Sequence, residues 1–268
     1  MIDQRYRMFG RKTRPMVRAC FAVSAAIALA VPAGLTARQD QALPSGRSLV
    51  DKFVQAVGGE AAYRAVDTMH ATGTFEMPAQ GVTGTIEVFS ARPSNVRLRA
   101  DIEGVGRIER GYDGKIGWSV NPIEGPSLLT GRQLRELIDD ALFDGPLHPP
   151  DKITEVTTVG QTAFDGQAAY KVKVVFASGT EQFEYFGVES GLLIGMEGPR
   201  EMPGGGLVPR VSMLRDYRPF GALKQPTRLV QHTLGIEQVV TIATYEYNTV
   251  KASAFTPPAE VLALIKGR

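Results

Sequence analysis

In Val96-Arg97-Leu98-Arg99-Ala100-Asp101-Ile102 every even position is apolar and every odd one charged. A period of two belongs to a strand with one face buried and the other in water, which is the pattern of an antiparallel sheet. Ile116 to Val120, Tyr170 to Phe176 and Phe183 to Tyr185 read as further strands. No catalytic constellation accompanies them, so function is expected on the apolar face of the sheet rather than at a reactive residue.

The first 37 residues read as a Sec signal peptide. Arg5, Arg7, Arg11, Lys12, Arg14 and Arg18 precede an apolar run from Ala19 to Ala33. The run falls short of the roughly 20 apolar residues of a spanning helix, and Pro32 breaks it. Small residues at Ala33 and Ala37 offer cleavage points, and Met8 or Met16 are alternative starts. The single cysteine, Cys20, follows Val17-Arg18-Ala19, where a lipoprotein signal would place Leu and small residues. Lipid anchoring is therefore not expected, and the mature chain keeps neither a thiol nor an integral membrane segment. Cleavage lowers Lys and Arg from 30 to 24 and Asp and Glu from 28 to 27, a net charge of −3. No basic run remains, which excludes a nucleic-acid partner.

Residues 38–47 read as a flexible lead-in, and residues 48–268 as a single domain. From Ser48 a helical stripe runs through Leu49, Phe53, Val54 and Val57, with Ser48 and Asp51 as its capping pattern and Gly58 at its end. A second short helix covers Glu60 to Val66. The period then switches to two: Met69 to Met77, Val82 to Ser90 and Val96 to Ile102 form a meander. Arg107 to Tyr112 and Lys115 to Val120 flank Asp113-Gly114, a two-residue hairpin signal. Beyond Pro122 to Pro126, a central helix begins at Thr130 and Gln133, a capping box. Its apolar stripe is Leu134, Leu137, Ile138, Ala141 and Leu142, with Arg132, Arg135, Glu136, Asp139 and Asp140 on a solvated side. Strands resume at Ile153 to Val159, Ala168 to Phe176, Thr180 to Gly187 and Leu192 to Glu197. Gly198 to Pro209 reads as a long mobile loop. Three further strands and a helix from Ala259 to Ile265 complete the chain.

Reactive-site patterns are absent. His70, His148 and His232 are scattered, and none has Glu or Cys at metal-ligand spacing, so no metal or other cofactor is expected. His70 and His232 lie in strands, whereas His148 lies in a loop. Gly187-Val188-Glu189-Ser190-Gly191 joins two strands and misplaces its serine for a nucleophile elbow. Gly204-Gly205-Gly206 lacks the following helix of a phosphate loop. Hydrolase chemistry finds no nucleophile, base and orienting group together, and the protein is not expected to be an enzyme.

Three local strings carry a resemblance: Gly111-Tyr112-Asp113-Gly114-Lys115-Ile116-Gly117-Trp118, Tyr185-Phe186-Gly187-Val188-Glu189-Ser190-Gly191-Leu192-Leu193, and Ile242-Ala243-Thr244-Tyr245-Glu246-Tyr247-Asn248. With the order of elements over residues 48–258, they make the chain resemble the periplasmic lipoprotein carrier (LolA/LolB-like) superfamily of outer-membrane lipoprotein-sorting-like proteins. The resemblance implies a mainly β (α+β) fold: a strongly curved, incompletely closed antiparallel β-barrel roofed by a few helices. It implies a periplasmic protein of a diderm bacterium that holds lipid or lipoprotein acyl chains as a carrier or sensor. The apolar residues expected to line that cavity are Phe75, Ile86, Val88, Leu98, Trp118, Leu134, Ile138, Val172, Val174, Phe183 and Tyr185. Leu98, Trp118, Val172 and Val174 are expected to share one interior beneath the helix bearing Leu134 and Ile138. The alternative is an envelope protein-interaction module with a filled core, which would contact its partner through the Gly198 to Pro209 loop.

Overall fold

The computed structural model describes residues 42–202 and 204–266. The leader, its cleavage points and Cys20 lie outside the described residues. Among the described residues there are four α-helices: α1 (Gly46–Ala56), α2 (Glu60–Arg64), α3 (Gly131–Asp140) and α4 (Ala259–Lys266). Between α2 and α3 run β1 (Thr68–Met77), β2 (Val82–Ala91), β3 (Asn95–Ile102), β4 (Gly106–Tyr112), β5 (Gly117–Asn121) and β6 (Gly125–Leu129). Between α3 and α4 run β7 (Ile153–Phe164), β8 (Gln167–Phe176), β9 (Glu181–Gly187), β10 (Leu193–Glu201), β11 (Leu207–Phe220), β12 (Leu223–Thr233) and β13 (Ile236–Tyr247). They form one 13-stranded sheet in the order β6-β5-β4-β3-β2-β1-β13-β12-β11-β10-β9-β8-β7. Two meanders are thus joined where β1 pairs antiparallel with β13. β6 and β7 remain free edges, so the barrel is not closed.

The direction of curvature follows from α3. Its Gln133 carbonyl accepts from Arg110 of β4, and its Glu136 accepts from the Glu201 amide of β10. Those strands are seven places apart in the sheet order. A flat sheet would separate them by about 34 Å, whereas a ten-residue helix is about 15 Å long. The sheet must curl toward α3, and the face beneath α3 is the concave one. Register carries that face through Arg110, Leu98, Val88 and Ala71 in one direction and through Leu214, Leu229, Val240 and Phe75 in the other.

Part of the concavity is filled. Leu49, Val50, Phe53, Val54 and Val57 pack with Val172, Val174, Phe176 and Phe186 in the main core. α1 is capped by Ser45, whose side chain accepts the Ser48 amide, three residues before the expected cap. The lead-in therefore becomes ordered before residue 48.

Four further expectations are corrected. β6 was hidden by Gly125 and Pro126; as an edge strand it tolerates proline's missing donor. Thr130 makes no capping bond, and Gln133 donates instead to the Met202 carbonyl at 3.0 Å. Gly198 to Pro209 is mostly hairpin, not loop, because β10 and β11 pair from Gly195↔Met213 to Glu201↔Leu207. Asp113-Gly114 belongs to a four-residue connection, with Tyr112 opposite Gly117 and the Asp113 carboxylate accepting the Lys115 and Ile116 amides.

Gly114 has a φ of 93°, a left-handed conformation that a β-branched residue adopts only with strain. Gly114→Val is expected to lower stability by about 1–3 kcal/mol, measured as an earlier denaturant midpoint. An unchanged midpoint would refute the turn's role.

Candidate functional site

The concave face holds an apolar stripe outside the packed cores. Phe75, Val88 and Leu98, with Leu214, Leu229 and Val240 across the β1–β13 seam, are only half-buried. Ile86 shares this face and is buried. α3 passes above. Leu134 and Leu137 approach so closely that a Cβ at Gly117 would come within 2.6 Å of Leu134 Cδ1 and 3.4 Å of Leu137 Cδ2. Glycine at 117 is what lets the helix lie on the sheet. Ile138 is half-buried on the same helix. Phe75, Ile86, Val88, Leu98, Leu134 and Ile138 thus belong to one concavity and its roof.

The other five candidates part from them. Val172 and Val174 are on the concave face but wholly buried, and they pack in the α1 core rather than beneath α3. Phe183 and Tyr185 lie opposite Lys173 and Lys171 and face the convex side. There Tyr185 stacks on Phe164 at 3.9 Å between centroids, with Lys171 Nζ 4.0 Å from the Phe183 ring. Phe183 also lines a convex groove of about 570 Å³ with Leu207, Pro209 and Val211. That groove lies on the opposite face of the sheet from the stripe.

Trp118 also faces the convex side. It is 0% exposed and lies across Gly111, where a Cβ would come within 2.3 Å of the ring. Its Nε1 donates to Glu109 Oε1 at 3.1 Å, and Glu109 Oε2 accepts from Arg97 at 2.9 Å. Arg97 donates onward to the Ala254 and Thr256 carbonyls of the C-terminal segment. The charged side of β3 is accordingly not in water at Arg97: that segment covers it.

The polar side of α3 is likewise engaged. Glu136, expected in solvent, is buried, receiving Arg132 at 2.7 Å and the Glu201 amide at 3.0 Å. Asp140 pairs with Arg200 at 2.9 Å and Arg210 at 3.1 Å. Asp139 accepts from Ser178; burial raises its pKa, and hydrogen bonds from Ser178 and Thr180 offset part of that rise. Arg110 is exposed to solvent on the concave face of β4. Its pKa and that of Arg200 are lowered, first by desolvation and then by neighbouring arginines, against the pull of Asp140 and Glu136. Both stay cationic, since guanidinium does not lose its proton in proteins. These arginines were not anticipated. The available signal was Arg110 itself, a charge in register with Ile108 and Tyr112.

His148 lies in the connection between α3 and β7, as expected, but not in solvent. It is buried at 2% exposure, and its Nε2 lies 2.9 Å from Glu184 Oε2, while Gln182 donates to Glu184 Oε1 at 3.1 Å. Among the described residues no group of three or more His, Cys, Asp or Glu is placed to hold a metal, and no helix is long and apolar enough to cross a membrane.

Among solved structures, a LolA superfamily protein from Nitrosomonas europaea is similar at 13% identity and a TM-score of 0.53, over 80% of this chain and 99% of that one. A DUF1329 family protein from Desulfovibrio piger is similar at 13% identity and a TM-score of 0.53, over 80% of this chain and 97% of that one. The sequence matches no protein-family model and no curated protein. The chain has a LolA-like fold: a curved antiparallel sheet, open at both edges, with helices in its concavity.

Proposed function

We propose that the protein binds a lipid or lipoprotein acyl chain in the concavity beneath α3, as a carrier or sensor in the periplasm. The observation that carries this reading is the half-buried stripe of Phe75, Val88, Leu98, Leu229 and Val240 on a face that helices otherwise fill. A packed core leaves no such residues accessible. Each methylene buried there contributes about 0.8 kcal/mol, so a dozen give on the order of 10 kcal/mol before the cost of association. Area alone supports binding of a chain. The basic leader followed by an apolar run supports the compartment.

The purified mature protein is expected to take a fluorescent fatty acid into an apolar environment, with a blue-shifted emission. Ile138→Glu sets a charge over the hollow, where desolvation is costly, and should weaken uptake about ten-fold, or about 1.4 kcal/mol, with circular dichroism and thermal melting unchanged. No uptake by the wild type, and no lipid copurifying with it, would overturn the reading and favour an interaction module.

A further inference from the structure

The hollow has a cationic rim that its own carboxylates leave in excess. Arg110 stands on the concave face of β4 directly opposite Leu98. Among the described residues its side chain has one hydrogen bond, to the Gln133 carbonyl at 3.3 Å. Behind it Arg200 and Arg210 share a single carboxylate, Asp140. Arg200 Nε is buried without a hydrogen-bond partner. Glu136 is taken by Arg132 and the Glu201 amide, and Asp139 turns to Ser178. Four guanidinium groups thus meet three carboxylates, and Arg110 has none to itself. A purely apolar ligand gives no reason to hold a cation beside Leu98, because covering it would strip its water without replacement. An anion placed there resolves the mismatch, and the guanidinium fork matches a carboxylate or phosphate in two parallel hydrogen bonds.

We propose that Arg110, backed by Arg200 and Arg210, receives the anionic headgroup of a lipid whose chain lies along Leu98, Val88 and Phe75. This rests on the chain-binding reading above and adds the ligand's charge to it. The ligand class is an acidic lipid with a carboxylate or phosphate head. Neutral lipids of equal chain length are discriminated against by the headgroup alone.

The test compares a dansyl-labelled fatty acid with its methyl ester, on the intact mature protein and on Arg110→Gln, at neutral pH and low ionic strength. The wild type is expected to bind the acid about ten-fold more tightly than the ester, the margin of a charge-assisted pair. Arg110→Gln should abolish that preference and leave ester affinity and melting temperature unchanged, while Arg110→Lys keeps part of it. Inorganic phosphate at about 10 mM is expected to leave the acid bound, since it gains nothing from the stripe. Equal binding of acid and ester by the wild type, or equal loss of both in Arg110→Gln, overturns the headgroup site while chain binding stands. Displacement by phosphate reassigns the cluster to a free anion and overturns it as well. Binding of neither probe overturns both readings together.

Discussion

His148→Ala is expected to destabilise the protein by about 3–5 kcal/mol, because it leaves the buried Glu184 carboxylate without its imidazole partner. The loss should depend on pH. Burial draws the His148 pKa down, but the charge and hydrogen bond of Glu184 outweigh it, and the folded-state value is raised. A raised pKa means stabilisation that is complete below the unfolded value of about 6.5 and lost as pH rises through the folded one. The difference between wild type and His148→Ala should therefore be largest in mildly acidic solution and shrink in alkaline solution. Urea denaturation at several pH values measures it. A difference that is flat from about pH 5 to about pH 9 would show that the imidazole pKa is the same in the folded and unfolded protein, and one that grows as pH rises would show that the imidazole is neutral in the fold.

Trp118→Ala carries the second large effect, about 3–5 kcal/mol. The indole is fully buried across Gly111, so truncation leaves a cavity and also takes the Nε1 donor from the buried Glu109. Because Trp118 faces away from the hollow, the protein that remains folded should take up the fatty acid with unchanged affinity. Weakened uptake at full folding would place Trp118 on the ligand's side of the sheet. Stability and binding are thereby separated in one variant.

The difference between the expected and observed faces comes down to counting across turns. Alternation within a strand fixes which residues share a face of that strand, and it was right for β3, where Val96, Leu98, Ala100 and Ile102 look inward together. Carrying the phase to the next strand requires the turn length. The three-residue connection 103–105 keeps even opposite even, as in Leu98↔Arg110. The four-residue connection 113–116 inverts it, so Trp118 falls opposite Gly111 and faces outward. An even-length turn of two would have done the same. Between β8 and β9 parity is kept, which puts Val172 beside Glu184 and leaves Phe183 and Tyr185 on the reverse side. Apolar residues on both faces of β9 concealed this, since Phe186 packs into the main core while Tyr185 packs into a convex cluster. Contacts between distant segments left still less trace. Nothing local marks Asp140 as the partner of Arg200 and Arg210, or the C-terminal carbonyls as acceptors for Arg97.

The seam between β1 and β13 has a bearing on how the chain folds. Met69 lies opposite Tyr247 and Glu76 opposite Val239, so the first strand meets its second neighbour 163 to 178 residues later. Loop-closure entropy grows by only about 0.6 kcal/mol for each doubling of length, which makes the seam inexpensive at equilibrium. Long sequence separation slows the search for it all the same. β2 to β6 can assemble on β1 hairpin by hairpin as the chain emerges from its amino terminus. Throughout that time β1 presents a bare row of amides and carbonyls, open to pairing with a neighbouring chain. The interval of greatest exposure to misassembly therefore lasts until the last strand has been delivered.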